Sequence, residues 1–216
     1  TGDFQLQEVS FKRAPPYAVL SYQRQPEGAV DRSQLSFAMM RSGCERPRMS
    51  VTHRFDKFEF YTRRAASLGL EYCWFDMCCI DDSSAARIDE AACDEFTRLQ
   101  SATECFVHLA DVPSSRAGGQ WEAEFRRSSY FRSLESLQVV LAASAVEFFS
   151  AEGHLLGNKK TLETLLHETM GVPRQALRGA EMCTFSVDER MGWAVSKTAG
   201  PNEEDQAYAM QGLLGV

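Results

Sequence analysis

Four short apolar runs, at 17–22 (YAVLSY), 70–77 (LEYCWFDM), 104–109 (ECFVHL) and 146–149 (VEFF), are separated by stretches whose apolar residues recur at helical spacing. Runs this short, bounded by turn formers, read as buried strands, since a helix needs ten residues or more to show its period. Between the first two runs, Phe55, Phe58, Thr62, Ala65 and Leu68 mark one helical face, and Gly69 is placed to stop that helix in the left-handed conformation. Ile88, Ala92, Phe96 and Leu99 mark a second helix, which Ser83 or Ser84 can cap. A third helical stretch covers 133–142. Strand and helix alternate, which predicts an α/β fold with a central, mainly parallel sheet flanked by helices on both faces. The later chain reads as extra helices: 160–169 stopped at Gly171, a short turn opened by Pro173, and a last helix capped by Asn202 with Asp205 completing a capping box. Residues 23–54, broken by Pro26, Gly28, Gly43 and Pro47, read as an insertion with one apolar island at 35–40.

The chain has 216 residues, 44% of them hydrophobic, which suits one domain with its own core. Its net charge of -7 offers no basic field for a phosphate backbone, so nucleic acid is not an expected partner. No run reaches the roughly 18 apolar residues of a membrane span, and the first residues hold no signal core, so the expected setting is soluble and cytoplasmic. Seven cysteines without CxxC pairing indicate neither a zinc site nor a disulfide framework, and no metal is expected. Cys73 and Cys105 lie in apolar runs, where a thiol serves as a small buried hydrophobe. Cys78 and Cys79 follow a strand and are candidates for exposure at its end.

The order YAVLSY, GLEYCWFDMCCID, CFVHLADV, SSYFRSLESLQVVLA with VEFF, DERMGWAVSK and EEDQAYAMQGLLGV resembles the successive blocks of the fungal heterokaryon incompatibility (HET) domain. The resemblance runs over residues 1–216 and implies a single such domain, the N-terminal part of a longer protein. It implies a TIR-like or flavodoxin-like fold, and a role in triggering the death of fused fungal cells that differ at incompatibility loci. Some TIR domains cleave NAD at the nicotinamide glycosidic bond. That chemistry needs a carboxylate beside the ribose, because departure of nicotinamide leaves an oxocarbenium-like sugar.

In an open α/β sheet a ligand sits beyond the C-terminal ends of the strands. Those ends gather Ser21 and Tyr22, Asp76 with Cys79 and Asp81, and the segment after His108. Tyr22 is suited to stack on a base or nicotinamide ring, and Gln138 to bond a ribose or amide. The family block written R-G-W-T-L-Q-E falls on residues 133–139, so Val139 occupies the glutamate position and Glu135 the tryptophan position. Glu135 lies four residues earlier, on the same helical face, and is the candidate displaced carboxylate. If the site is instead degenerate, Val139→Glu is expected to raise NAD cleavage. After YAVLSY the family often has an aromatic and a glycine where this chain has Gln23, Arg24 and Gln25. Asp76 and Asp81 equally suit a helix cap or loop anchor, Glu90 a surface ion pair and Glu135 a solvated helix surface. Arg190 is expected to pair near Glu189 or with Asp205, and Trp193 and Tyr208 to lie in a core. Three functions stay open: an NAD glycohydrolase, a degenerate module signalling by self-association or with other signalling domains, and a nucleotide sensor without turnover.

Overall fold

The computed structural model of the chain describes residues 4–10, 13–23, 36–42, 57–81, 83–114, 121–195, 197, 210, 213 and 214. The expectations placed on Phe55, Asn202, Asp205 and Tyr208 lie outside these residues.

One five-stranded sheet forms the centre. Strand β1 (Tyr17–Tyr22) pairs in parallel with β2 (Tyr72–Trp74) on one side and β3 (Glu104–His108) on the other. Strand β4 (Val146–Phe149) continues the parallel sheet, and β5 (Leu155–Asn158) closes it antiparallel. The order β2-β1-β3-β4-β5 is that of a doubly wound sheet of the flavodoxin kind, whose switch point lies between β1 and β3. The helices are α1 (Phe37–Arg41), α2 (Lys57–Ser67), α3 (Asp76–Cys79), α4 (Ala85–Cys93), α5 (Glu95–Ser101), α6 (Trp121–Arg127), α7 (Leu134–Ala142), α8 (Glu163–Met170), α9 (Arg174–Leu177) and α10 (Val187–Val195). None of them is long and apolar enough to cross a membrane.

All six residues of β1 are buried, as a central parallel strand covered on both faces requires. Successive side chains alternate between two cores. Ala18, Leu20 and Tyr22 join Phe106 and Phe149 beneath Phe58, Tyr61 and Ala65 of α2. Tyr17 and Val19 join Cys105, Val107, Val146 and Phe148 in the larger core, with Leu99 of α5 and Leu137, Val139 and Val140 of α7. Helix α7 is buried nearly all round, with only Glu135 and Ala142 partly exposed, and Ser133 starts it by accepting the Ser136 N–H at 3.1 Å.

The expected α/β architecture is the observed one, with local departures. The second run forms a strand only over Tyr72–Trp74. The N–H groups of Cys78 and Cys79 bond the Phe75 carbonyl at 3.1 and 2.8 Å, so the chain winds into α3 instead of extending the sheet. The helix read through Ile88 to Leu99 is two helices, broken at Asp94; no residue of α4 is buried, and Ile88 is 40% exposed. Helix α8 starts at Glu163, because the Asn158 side chain accepts the N–H groups of Lys160 and Thr161 and turns the chain first. Gly69 (φ 77°) and Gly171 (φ 71°) do adopt the left-handed conformation. Trp193 packs edge-on against Phe185. Arg190 Nη1 donates to the carbonyls of Leu213 and Leu214 at 3.0 and 2.8 Å, while the pairing expected with Asp205 lies outside the described residues.

Candidate functional site

The carboxyl ends of β1 and β3 meet at the switch point, where Ser21 is level with Val107 and Tyr22 with His108. Because neighbouring residues of a strand face opposite ways, Ser21 and Tyr22 open two distinct clusters, one on each face of the sheet.

On the α7 face, Ser21 Oγ donates to Glu135 Oε1 at 3.2 Å and lies 2.8 Å from the Tyr130 hydroxyl. Glu135 stands on the first turn of α7, which is how a residue 114 positions away reaches the end of β1. Tyr130 sits on the 3-10 turn Ser129–Arg132 that leads into α7. That turn is fixed from the β3 side: Asp111 accepts from Ser128 Oγ at 2.7 Å, Ser129 N–H at 2.8 Å and Ser129 Oγ at 2.7 Å. Burial alone would raise the Asp111 carboxyl, but the bonds from Ser129 and Ser128 outweigh it and hold it below the ordinary value. Ser129 also bonds the Gln23 side chain, so the residue following YAVLSY ties the first loop to this turn.

On the α2 face, the Tyr22 hydroxyl donates to Asp76 Oδ1 at 2.9 Å, and the same oxygen accepts the Met77 N–H at 2.6 Å. Asp76 thus joins the strand end to the start of α3. The ammonium of Lys57, first residue of α2, stands 4.7 Å from the centre of the Tyr22 ring. Beside them His108 is buried, with Nδ1 3.0 Å from the Tyr61 hydroxyl; burial, aided by the Lys57 charge, lowers its pKa to about 4. At neutral pH it is an uncharged imidazole.

Ser21, Tyr22, Asp76 and Glu135 are therefore gathered at one end of the sheet, on its two faces, while the other candidates are buried, anchor a loop or lie on the surface. Asp81 accepts from the N–H and hydroxyl of Ser83 at 3.1 and 2.6 Å, anchoring the loop before α4. Cys79 accepts the Phe75 N–H at 3.4 Å; the hydrogen bond from Cys78 lowers its pKa and raises that of Cys78. Gln138 is 3% exposed, inside the buried helix. Glu90 pairs with Arg87 at 2.8 Å on an exposed surface. Val139 is 0% exposed in the larger core, so a glutamate there would point into hydrocarbon and not toward a ligand. The expected gain from Val139→Glu loses its basis. Tyr130, Lys57, Tyr61 and Asp111 were not singled out from the sequence; their position at the switch point is a property of the folded chain alone. No group of His, Cys, Asp or Glu able to hold a metal occurs among the described residues.

No family model matches the chain, and no solved structure matches it. It is homologous to the vegetative incompatibility protein HET-E-1 of Podospora anserina, with 32% identity over 208 residues. That alignment covers 94% of this chain but 15% of HET-E-1, so the chain spans about one seventh of its relative's length.

Proposed function

We propose that this chain is a vegetative incompatibility signalling domain that triggers cell death by cleaving NAD, with Glu135 as the carboxylate at the reacting ribose. The homology to HET-E-1 supports the incompatibility role. The observation that carries the chemistry is the place of Glu135: partly exposed, at the carboxyl edge of the sheet beside the switch point, and hydrogen-bonded to Ser21 at the end of β1.

In this reading the bond between ribose C1′ and the pyridinium nitrogen breaks, and its electron pair neutralises nicotinamide. The Glu135 carboxylate stabilises the resulting positive charge, water adds at C1′, and its proton passes to solvent. Lys57 adds a cation on the opposite face of the strand end, above the buried Tyr22 ring. The test is NAD loss and nicotinamide release by purified protein, parent against Glu135→Gln. We expect the parent to release nicotinamide and the variant to lose about a hundredfold or more. Equal rates in the two proteins sink the assignment.

A second reading, an assembly module without turnover, draws on the burial of Tyr22 and Gln138, the two groups expected to hold the ligand. It predicts that the parent leaves NAD intact at any degree of self-association.

A further inference from the structure

We propose that Tyr130 is a positioning residue for the Glu135 carboxylate and acts on it through Ser21; this rests on the reading of Glu135 given above. Direction follows from counting hydrogens. The Ser21 hydroxyl has one proton, and a carboxylate has none to give, so the proton of Ser21 goes to Glu135 Oε1 at 3.2 Å. The 2.8 Å contact between the two hydroxyls is then a donation from Tyr130 to Ser21. The result is a one-way chain, Tyr130 to Ser21 to Glu135, whose first two members are only 2% and 3% exposed. Each donation polarises the next, and a charge-assisted bond at the end favours the ionised acid in a fixed orientation.

The phenol is suited to this use. Burial holds its pKa well above the ordinary value, so it keeps its proton at every pH at which the protein works; Cys105, Glu135 and Glu95 are the titratable neighbours that add to the effect. Its backbone is held as firmly as its ring. The Tyr130 carbonyl accepts both the N–H and the hydroxyl of Ser133, at 3.2 and 3.0 Å, and Ser133 is the cap of α7. Lys197 Nζ donates to the next carbonyl, of Phe131, at 2.8 Å. The turn that aims the phenol thus also sets where α7, and with it Glu135, begins.

The test compares the parent with Tyr130→Phe, which keeps the ring, and Ser21→Ala, which keeps Tyr130 whole. Two readouts are used: the pH dependence of NAD cleavage and the titration of the Glu135 carboxyl by carbon-13 NMR. Each single variant is expected to lower kcat about tenfold, one hydrogen bond's worth, with KM within about twofold. The acid limb of the profile and the Glu135 resonance should both titrate at higher pH. The double variant should be no worse than either single one, because both cut the same chain. Additive losses, or a Glu135 resonance that titrates as in the parent, overturn the proposal. A parent that leaves NAD intact while the resonance still shifts refutes the NAD reading and upholds the chain of hydrogen bonds.

Discussion

The guanidinium of Arg98 lies 3.8 Å from the centre of the Trp74 ring, at the outer edge of β2, and Arg98 is 1% exposed. It donates to Glu95 Oε2 at 3.1 Å and to the Ala91 carbonyl, while its own carbonyl accepts the Tyr17 hydroxyl at 2.7 Å. The side chain therefore ties α4, α5 and β2, and the backbone of the same residue adds β1. Removing it takes one donor from Glu95 and the cover from Trp74, at a cost of about 3–5 kcal/mol. Arg98→Ala should show that loss in urea unfolding, and Arg98→Met, which refills the volume, should regain part of it. A loss below about 0.5 kcal/mol for Arg98→Ala, the size of an ordinary surface change, contradicts this role.

Val139→Glu should destabilise and not activate. The side chain is fully enclosed by the larger core, and burying an uncompensated carboxylate there costs about 3–5 kcal/mol. The expected result is a lower midpoint in thermal unfolding with no gain in NAD cleavage. A well-folded variant with faster cleavage would show that α7 can rotate position 139 to the sheet edge.

Glu104 sits at the start of β3. Burial first, and then the nearby Glu147 charge, raise its carboxyl to about 7, although Arg64 opposes this. Glu147 itself is held by Arg64, whose Nε donates to it at 2.9 Å. Because the folded pKa lies above the unfolded value of 4.5, the folded chain binds the extra proton. The stability this gives is complete below pH 4.5 and is lost as pH rises toward about 7. Glu104→Gln should be neutral at pH 4.5 and raise the unfolding midpoint at pH 8, and equal midpoints at pH 8 would refute it.

His108 acts with the opposite sign in an overlapping window. Its folded pKa of about 4 lies below the ordinary 6.5, so the unfolded chain takes up the proton first. The stability from the neutral imidazole is present above pH 6.5 and is lost as pH falls toward about 4. His108→Gln, which keeps a partner for Tyr61, should remove that acid dependence. If the variant and the parent lose stability in parallel over this range, His108 is not the group responsible.

Much of the architecture was legible because a parallel sheet buries its strands on both faces, and YAVLSY, ECFVHL and VEFF carry that signature in composition alone. Strand β5 was not read, since LLGN lies on an edge with Leu155 54% exposed and shows neither alternation nor a continuous apolar run. The end of β2 was misread for a different reason. Asp76 aside, DMCC is as apolar as the strand before it, and the turn rests on the Phe75 carbonyl accepting from Cys78 and Cys79 and on the Asp76 carboxylate accepting the Met77 N–H. At the site, Ser21 and Glu135 were named from strand ends and from the family block, but not as partners. That pairing depends on where Ser133 starts α7. Tyr130 looked like any core aromatic, because its use lies in one hydroxyl and the hydroxyl it meets.

The Ser21 to Glu135 contact joins residues 114 apart in sequence. Contacts of such span close late, after the intervening chain has collapsed, because the loop between them must be ordered first. Until Glu135 arrives, the Ser21 hydroxyl donates to water and the carboxyl edge of the sheet has no acid fixed beside that hydroxyl. A chain cut short of Glu135 keeps the whole of β1 yet lacks the acid that Ser21 meets at the carboxyl edge of the sheet.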